Sequence, residues 1–272
     1  MPDLATLLPM IAFLLAIGAF AGVIAGLLGV GGGIVLVPAF FFMFDHLGYA
    51  GPQLMQVCVA TSLATIMATS MRSVMAHNRK GAVDWLVLRQ WAAWIVIGAV
   101  AGVFVASSLK STTLTAIFGI LAMIAGLYMA LGRDTWRAAE AMPAQPTRGI
   151  LAILIGFFSV LMGIGGGTFG VPMMTLYNTP IHRAVATASG FGMVIAVPSV
   201  IGFLFLPVDQ APPYTLGAIN IPAFLLVVGT TYLATPWGVK LAHSMNPKPL
   251  KRAFAVFLVL VALNMLRKVA GW

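Results

Sequence analysis

The sequence predicts an all-α polytopic membrane protein made of two inverted-topology repeats, each a glycine-broken hairpin followed by three transmembrane helices. Three observations predict it: an apolar composition, a duplicated glycine segment, and loop charges that alternate between the copies. Of 272 residues 61% are hydrophobic and only 8% charged, where soluble domains carry about a quarter charged residues. Mean hydropathy is +1.03. A hydrocarbon core ~30 Å thick takes ~20 apolar residues per helical crossing, and the chain offers such stretches in succession, so a lipid bilayer is its expected surroundings. The net charge of +9 would suit nucleic acid in a soluble protein. Here Lys and Arg fall in short interhelical loops, where they act as orientation signals, and no nucleic-acid partner is expected.

The first twenty residues carry no Lys or Arg ahead of their apolar run, unlike a cleaved signal peptide, and read as retained in the membrane. The opening glycine segment, GVGGGIVLVP at Gly29–Pro38, returns as GIGGGTFGVP at Gly163–Pro172. Further echoes keep the same order: Ala60-Thr61-Ser62 with Ala186-Thr187-Ala188-Ser189, and the stretch ending at Leu109 with that ending at Met245. The boundaries are a first repeat over 1–132, a cytoplasmic linker over 133–148, which holds Pro143 and Pro146, and a second repeat over 149–272.

Apolar length places three crossings in the first repeat at 52–76, 85–107 and 113–132, and three in the second at 181–206, 215–238 and 251–267. Loop charge then orients the copies. The loop at 77–89 holds Arg79, Lys80 and Arg89, while its counterpart at 207–214 holds Asp209 and no base. The next pair reverses: Lys110 alone near 108–112, against Lys240, Lys248, Lys251 and Arg252. Basic loops face the cytoplasm, so equivalent loops lie on opposite faces and the repeat is inverted. Inversion needs an odd number of crossings per half, so each glycine segment returns to the side it entered. The second, short for two passes, reads as re-entrant. Both termini then fall outside, against the bias of Arg267 and Lys268.

Consecutive glycines Gly31, Gly32 and Gly33, and Gly165, Gly166 and Gly167, interrupt a helix because glycine costs ~1 kcal/mol relative to alanine there. Pro38 and Pro172 read as a second structural break. Irregular backbone cannot face lipid, so the breaks point inward. Matched breaks in two halves point to a midplane site where free N–H groups meet an anion. Lone glycine motifs are equally close-packing devices, as Gly22-x-x-x-Gly26 suggests. Thr61 and Thr187, at matched positions, add candidate hydroxyls. Arg183 is a candidate for pairing with an anionic substrate, with interfacial snorkelling as its alternative, which also fits Arg72. His182 is the coupling candidate, able to carry a proton near neutral pH, with a simple polar helix cap as its alternative.

Absences narrow the chemistry. Asp3, Asp45, Asp84, Asp134, Glu140 and Asp209 all fall at ends or in loops, so no buried carboxylate for Na⁺ or proton relay is visible. HExxH spacing is missing, and His46, His77, His182 and His243 are scattered. The single Cys58 makes neither a disulfide nor a thiolate cluster. No catalysis, metal or cofactor is expected.

The paired segments GLLGVGGGIVLVP and LMGIGGGTFGVP, the VATSLATI stretch, the AHNRKGAVDW loop at Ala76–Trp85 and the closing KRAFAVFLVLVALNML together resemble the TauE/SafE sulfite exporter family. The resemblance covers essentially the whole chain. It implies export of sulfite, a sulfonate such as sulfoacetate, or a related small organic anion across a bacterial inner membrane without ATP hydrolysis. A channel-like pore and a non-transporting membrane subunit are the alternatives, and association of identical chains is compatible with each. The second copy carries Thr168 and Gly170 where the first has Ile34 and Leu36, so the second hairpin is the preferred anion contact.

Overall fold

The computed structural model describes residues 4–132, 136–244 and 248–271, with side chains over 8–132, 136–244 and 253–271. Asp3, Asp134 and the neighbouring Arg133 and Thr135 of the expected linker lie outside the described residues, as do the side chains of Lys248, Lys251 and Arg252. The elements are α1 (Leu4–Leu28), α2 (Gly33–His46), α3 (Leu54–Asn78), α4 (Trp85–Ser108), α5 (Ser111–Leu131), α6 (Thr147–Leu161), α7 (Gly167–Leu176), α8 (Ile181–Leu204), the two-residue strands β1 (Thr215–Leu216) and β2 (Ile219–Asn220), α9 (Ile221–Ser244) and α10 (Lys248–Val269). Among the described residues, six helices are long and apolar enough to cross a membrane: Leu8–Leu28 within α1, and α3, α4, α5, α8 and α9. Five of these were predicted crossings. The sixth predicted one, α10, is not among them, and the crossing expected to start at 215 starts at Ile221 because residues 215–220 form the strand pair.

Each glycine segment is a hairpin with unequal arms. The first runs through α1, turns at Gly29–Gly32 and returns by the 14-residue α2; the second runs through the 15-residue α6 and returns by the 10-residue α7. At 1.5 Å per residue the return arms rise about 21 and 15 Å, short of the ~30 Å hydrocarbon core. The turns rest on glycine because the left-handed region at Gly29, Gly31 and Gly163 suits no other residue as well. The third glycine of each run is the first residue of the return helix. Pro38 and Pro172 are not breaks: both sit inside continuous helices, each losing one backbone bond while the next turn carries on.

The two halves are packed through matching contacts. α1 lies along α9 as α6 lies along α4, α3 contacts α9 as α8 contacts α4, and α2 packs on α3 as α7 packs on α8. The remaining large contacts join counterparts, α3 to α8 and α5 to α10. In both pairs the helices run in opposite directions: Gly119 faces Ala262 and Leu266 while Gly126 faces Ala255 and Leu258, and Ser70 faces Gly192 while Val74 faces Gly190. Small residues set the closest seams. A Cβ on Gly22 or Gly26 would stand 2.6 or 2.2 Å from the carbonyls of Thr231 and Thr235, so the Gly22-x-x-x-Gly26 pattern is a packing device.

The starts of α4 and α9 are fixed in the same way. Asp84 caps α4, its carboxylate accepting from the N–H groups of Leu86 and Val87. Asn220 caps α9 by accepting from Ala223 N–H at 3.1 Å. Thr187 accepts the Asp84 N–H at 2.9 Å and Thr61 the Asn220 N–H at 3.0 Å. The loops gather at two ends. Gln53 donates to the Pro207 carbonyl and accepts from Asp209 N–H, Ser111 accepts from Met55 N–H, and Lys268 pairs with Asp45, so 47–53, 109–111, 205–214 and the end of α10 share one face. Residues 77–84, 136–138, 176–183 and 243 share the other. Lipid-facing positions carry large apolar side chains, including Phe104, Leu131, Leu233 and Trp237.

Candidate substrate cavity

The glycine turns meet at the centre of the molecule, backbone to backbone. Gly165 N–H donates to the Val30 carbonyl at 3.0 Å. A Cβ on Gly33 would stand 2.2 Å from the Gly163 carbonyl, and one on Gly167 2.1 Å from that of Gly29. Side chains from α3 hold the turns: Ser62 donates to the Gly163 carbonyl at 2.7 Å and Thr69 to the Gly31 carbonyl at 3.3 Å.

Beside this junction lies a cavity of about 490 Å³. Its inner wall is the end of α1 (Leu27, Leu28), Val30 and the start of α7 (Gly167, Thr168). Its outer wall holds Arg137, Asn178 and His182, all exposed. The amides of Gly167, Thr168 and Phe169 precede the first bond of α7, which Gly170 N–H makes to the Gly166 carbonyl at 2.7 Å, so the helix presents its positive end and orphan donors. Thr168 is 6% exposed, and its buried hydroxyl has no hydrogen-bond partner. A buried hydroxyl without a partner costs ~1–3 kcal/mol, which an oxyanion accepting from it would recover. The start of a helix with free amides and a spare hydroxyl is suited to an anion.

Three histidines converge on the same cavity. His77 Nδ1 lies 3.2 Å from His243 Nε2, His77 Nε2 lies 3.1 Å from the Gly26 carbonyl, and the His182 ring stacks on that of His243 at 5.9 Å. No group of three His, Cys, Asp or Glu placed to hold a metal ion occurs among the described residues. Arg137 is tied to the Asn178 side chain at the rim.

The sequence-predicted residues divide. Gly167, Thr168 and His182 line the cavity together. Gly31, Gly32, Gly33, Gly165 and Gly166 form the buried junction behind it, packed on Ile66, Ala21 and Phe191. Thr61 and Thr187 hold the caps of α9 and α4. Arg183 is half exposed and pairs with Asp84 at 3.2 Å, outside the cavity lining. Arg72 stacks over the Tyr232 ring at 5.0 Å. Sequence reasoning missed His77 and His243 as partners of His182. The signal was present: loop charge had already assigned the ends of 52–76 and 215–238 and the start of 181–206 to one face.

Ten helices among the described residues, six of them long and apolar enough to cross a membrane, with two hairpins meeting at their turns beside a cavity, define a multi-pass membrane protein. The chain belongs to the sulfite exporter TauE/SafE family, whose profile matches residues 14–265. It is similar to a protein of Haemophilus influenzae named "Probable membrane transporter protein", 31% identical over 259 residues, covering 93% of this chain and 97% of that one. A like-named protein of Methanocaldococcus jannaschii is 26% identical over 93% of this chain and 94% of its own length. MamO of Magnetospirillum gryphiswaldense, also named a probable membrane transporter protein, is 25% identical over 92% of this chain and 44% of its own. No solved structure matches.

Proposed function

We propose that the protein is a secondary transporter that exports a small anion, namely sulfite, a sulfonate such as sulfoacetate or a related organic anion, across the bacterial inner membrane by alternating access. The observation that carries this reading is the buried, unpartnered hydroxyl of Thr168, a residue of the cavity wall at the start of α7. The anion sits against Gly167 and Thr168, with the histidines on the facing wall; the buried glycine junction, Thr61, Thr187 and Arg183 frame the site rather than touch the substrate. Matching contacts between the halves and the opposed directions of α3 and α8, and of α5 and α10, support an inverted repeat. Arg79 and Lys80 at the cavity's end of the molecule support a cytoplasmic opening, with both termini periplasmic. The Gln53 bonds to 207–209 tie two loops together at the other end, which favours alternating access over a continuous pore.

Proteoliposomes holding the purified protein and loaded with sulfite or ethanesulfonate test this. Wild-type vesicles release the anion, and Thr168→Val slows release by roughly tenfold or more, as expected for a lost hydrogen bond to a charged group. Equal release from Thr168→Val vesicles would remove the site, and no release of either anion from wild-type vesicles would remove the function.

A further inference from the structure

We infer that the His77–His243–His182 cluster is the cationic half of the cavity, taking up one proton as the anion binds, so that anion and proton are carried together. The inference rests on the transporter reading above and adds what balances the substrate's charge.

Hydrogen-bond geometry fixes where a proton can go. The Gly26 carbonyl can only accept, so His77 Nε2 carries hydrogen; in the neutral ring Nδ1 is then an acceptor, and His243 Nε2 must donate to it. The pair therefore leaves His243 Nδ1 as its open lone pair, and His182, stacked on that ring, offers another. One added proton turns the pair into an imidazole and an imidazolium without breaking either bond. Gly26 is also in the last turn of the 25-residue α1, whose remaining carbonyls give a negative end that favours a cation there. The positive start of α7 and the negative end of α1 thus face one cavity, one suited to the anion and the other to the charged histidines.

The surroundings select this cluster over fixed charges. No Asp or Glu is among the described residues that line the cavity. α1 contributes only apolar lining and α7 no titratable group; α5 contributes Tyr128, and the segment after it Arg137, which is held by Asn178. Beyond α3 the loop into α4 carries Arg79 and Lys80, and on α8 Arg183 is occupied by Asp84. A permanent cation on the inner wall would carry its desolvation penalty through every empty step of the cycle. Histidines that charge only when the anion is present carry it only when it is offset.

The test is calorimetric titration of the purified full chain with ethanesulfonate, a probe with no proton of its own near neutrality, in phosphate and in Tris at one pH. Wild type shows an uptake of about one proton per anion, and affinity tightens roughly tenfold per unit fall in pH while uptake is complete. His243→Gln binds more weakly, with a smaller change of affinity between pH 6 and pH 8 than wild type, and the exposed His182→Gln, which leaves the buried His77 bonds intact, reduces the uptake. Wild-type binding without proton uptake, or uptake unaltered in both variants, would overturn the inference and leave the transporter standing. No binding of ethanesulfonate or sulfite at all would overturn both.

Discussion

The backbone N–H of Gly165 donates to the carbonyl of Val30 at 3.0 Å, so the two hairpins are joined through main-chain atoms at their turns. Neither hairpin can change its depth without breaking that bond or carrying the other with it. The approach is this close because both turns present glycine there, with no Cβ between the two backbones.

Adding a methyl group at the junction is expected to destabilise the protein. Gly33→Ala and Gly167→Ala place a Cβ about where a backbone carbonyl stands, 2.2 and 2.1 Å away, and overpacking of this kind costs ~1–3 kcal/mol. Gly229→Ala on α9 meets nothing within 4 Å and gains helix propensity. Thermal unfolding in detergent should fall for the first two and hold or rise for the third.

The matched threonines separate a structural role from substrate contact. Thr61→Val leaves the buried Asn220 N–H without its acceptor, and Thr187→Val the part-buried Asp84 N–H, at up to ~1–3 kcal/mol. The expected result is a lower melting temperature with an unaltered dissociation constant for ethanesulfonate. Weakened binding at unchanged stability would return both hydroxyls to the site.

Asp84 and Arg183 should behave unequally although they form one ion pair. With 54% of the Arg183 side chain exposed, the pair is largely screened and Arg183→Gln is expected to cost no more than ~1 kcal/mol. Asp84→Ala also loses two capping bonds at the start of α4, adding ~0.5–2 kcal/mol. Chemical or thermal denaturation of the two variants gives the order, and transport by Arg183→Gln at close to the wild-type rate excludes it from substrate contact.

Cys58, fully buried, allows accessibility to be mapped after Cys58→Ala. A water-soluble thiol reagent added from the side that carries Arg79 and Lys80 should modify Thr168→Cys quickly and Ile66→Cys, buried behind the junction, hardly at all. Adding Gln53→Ala removes two bonds at the opposite face, worth ~0.5–1.5 kcal/mol each, and should slow labelling of Thr168→Cys several-fold as the outward-open state gains population. Labelling of Ile66→Cys as fast as Thr168→Cys would contradict the cavity's position.

Much of this architecture was legible because the bilayer imposes length and polarity rules that single segments obey alone. Helices over Leu54–Asn78, Trp85–Ser108, Ser111–Leu131 and Ile181–Leu204 follow from apolar length, and the turns at Gly29 and Gly163 follow from the glycine runs. Pro38 and Pro172 misled because a proline within a helix deletes one bond, which surrounding packing tolerates. Thr168 was found through its departure from Ile34 in the other copy. Arg183 drew notice for its charge, but its partner Asp84 lies 99 positions away, and no local pattern reports such a pairing. The histidine cluster needed three elements folded to one end before it existed.

Trp136 and Arg137, in the segment between α5 and α6, also line the cavity, and Ala138 N–H is bonded to the carbonyl of Leu176, the last residue of α7. The join is therefore a sill across the doorway as well as a tether. A tether tolerates insertions freely; a sill does not, because each added residue shifts its side chains along the opening. Insertions at 136–138 should therefore change how fast cargo enters, even where every helix stays in place.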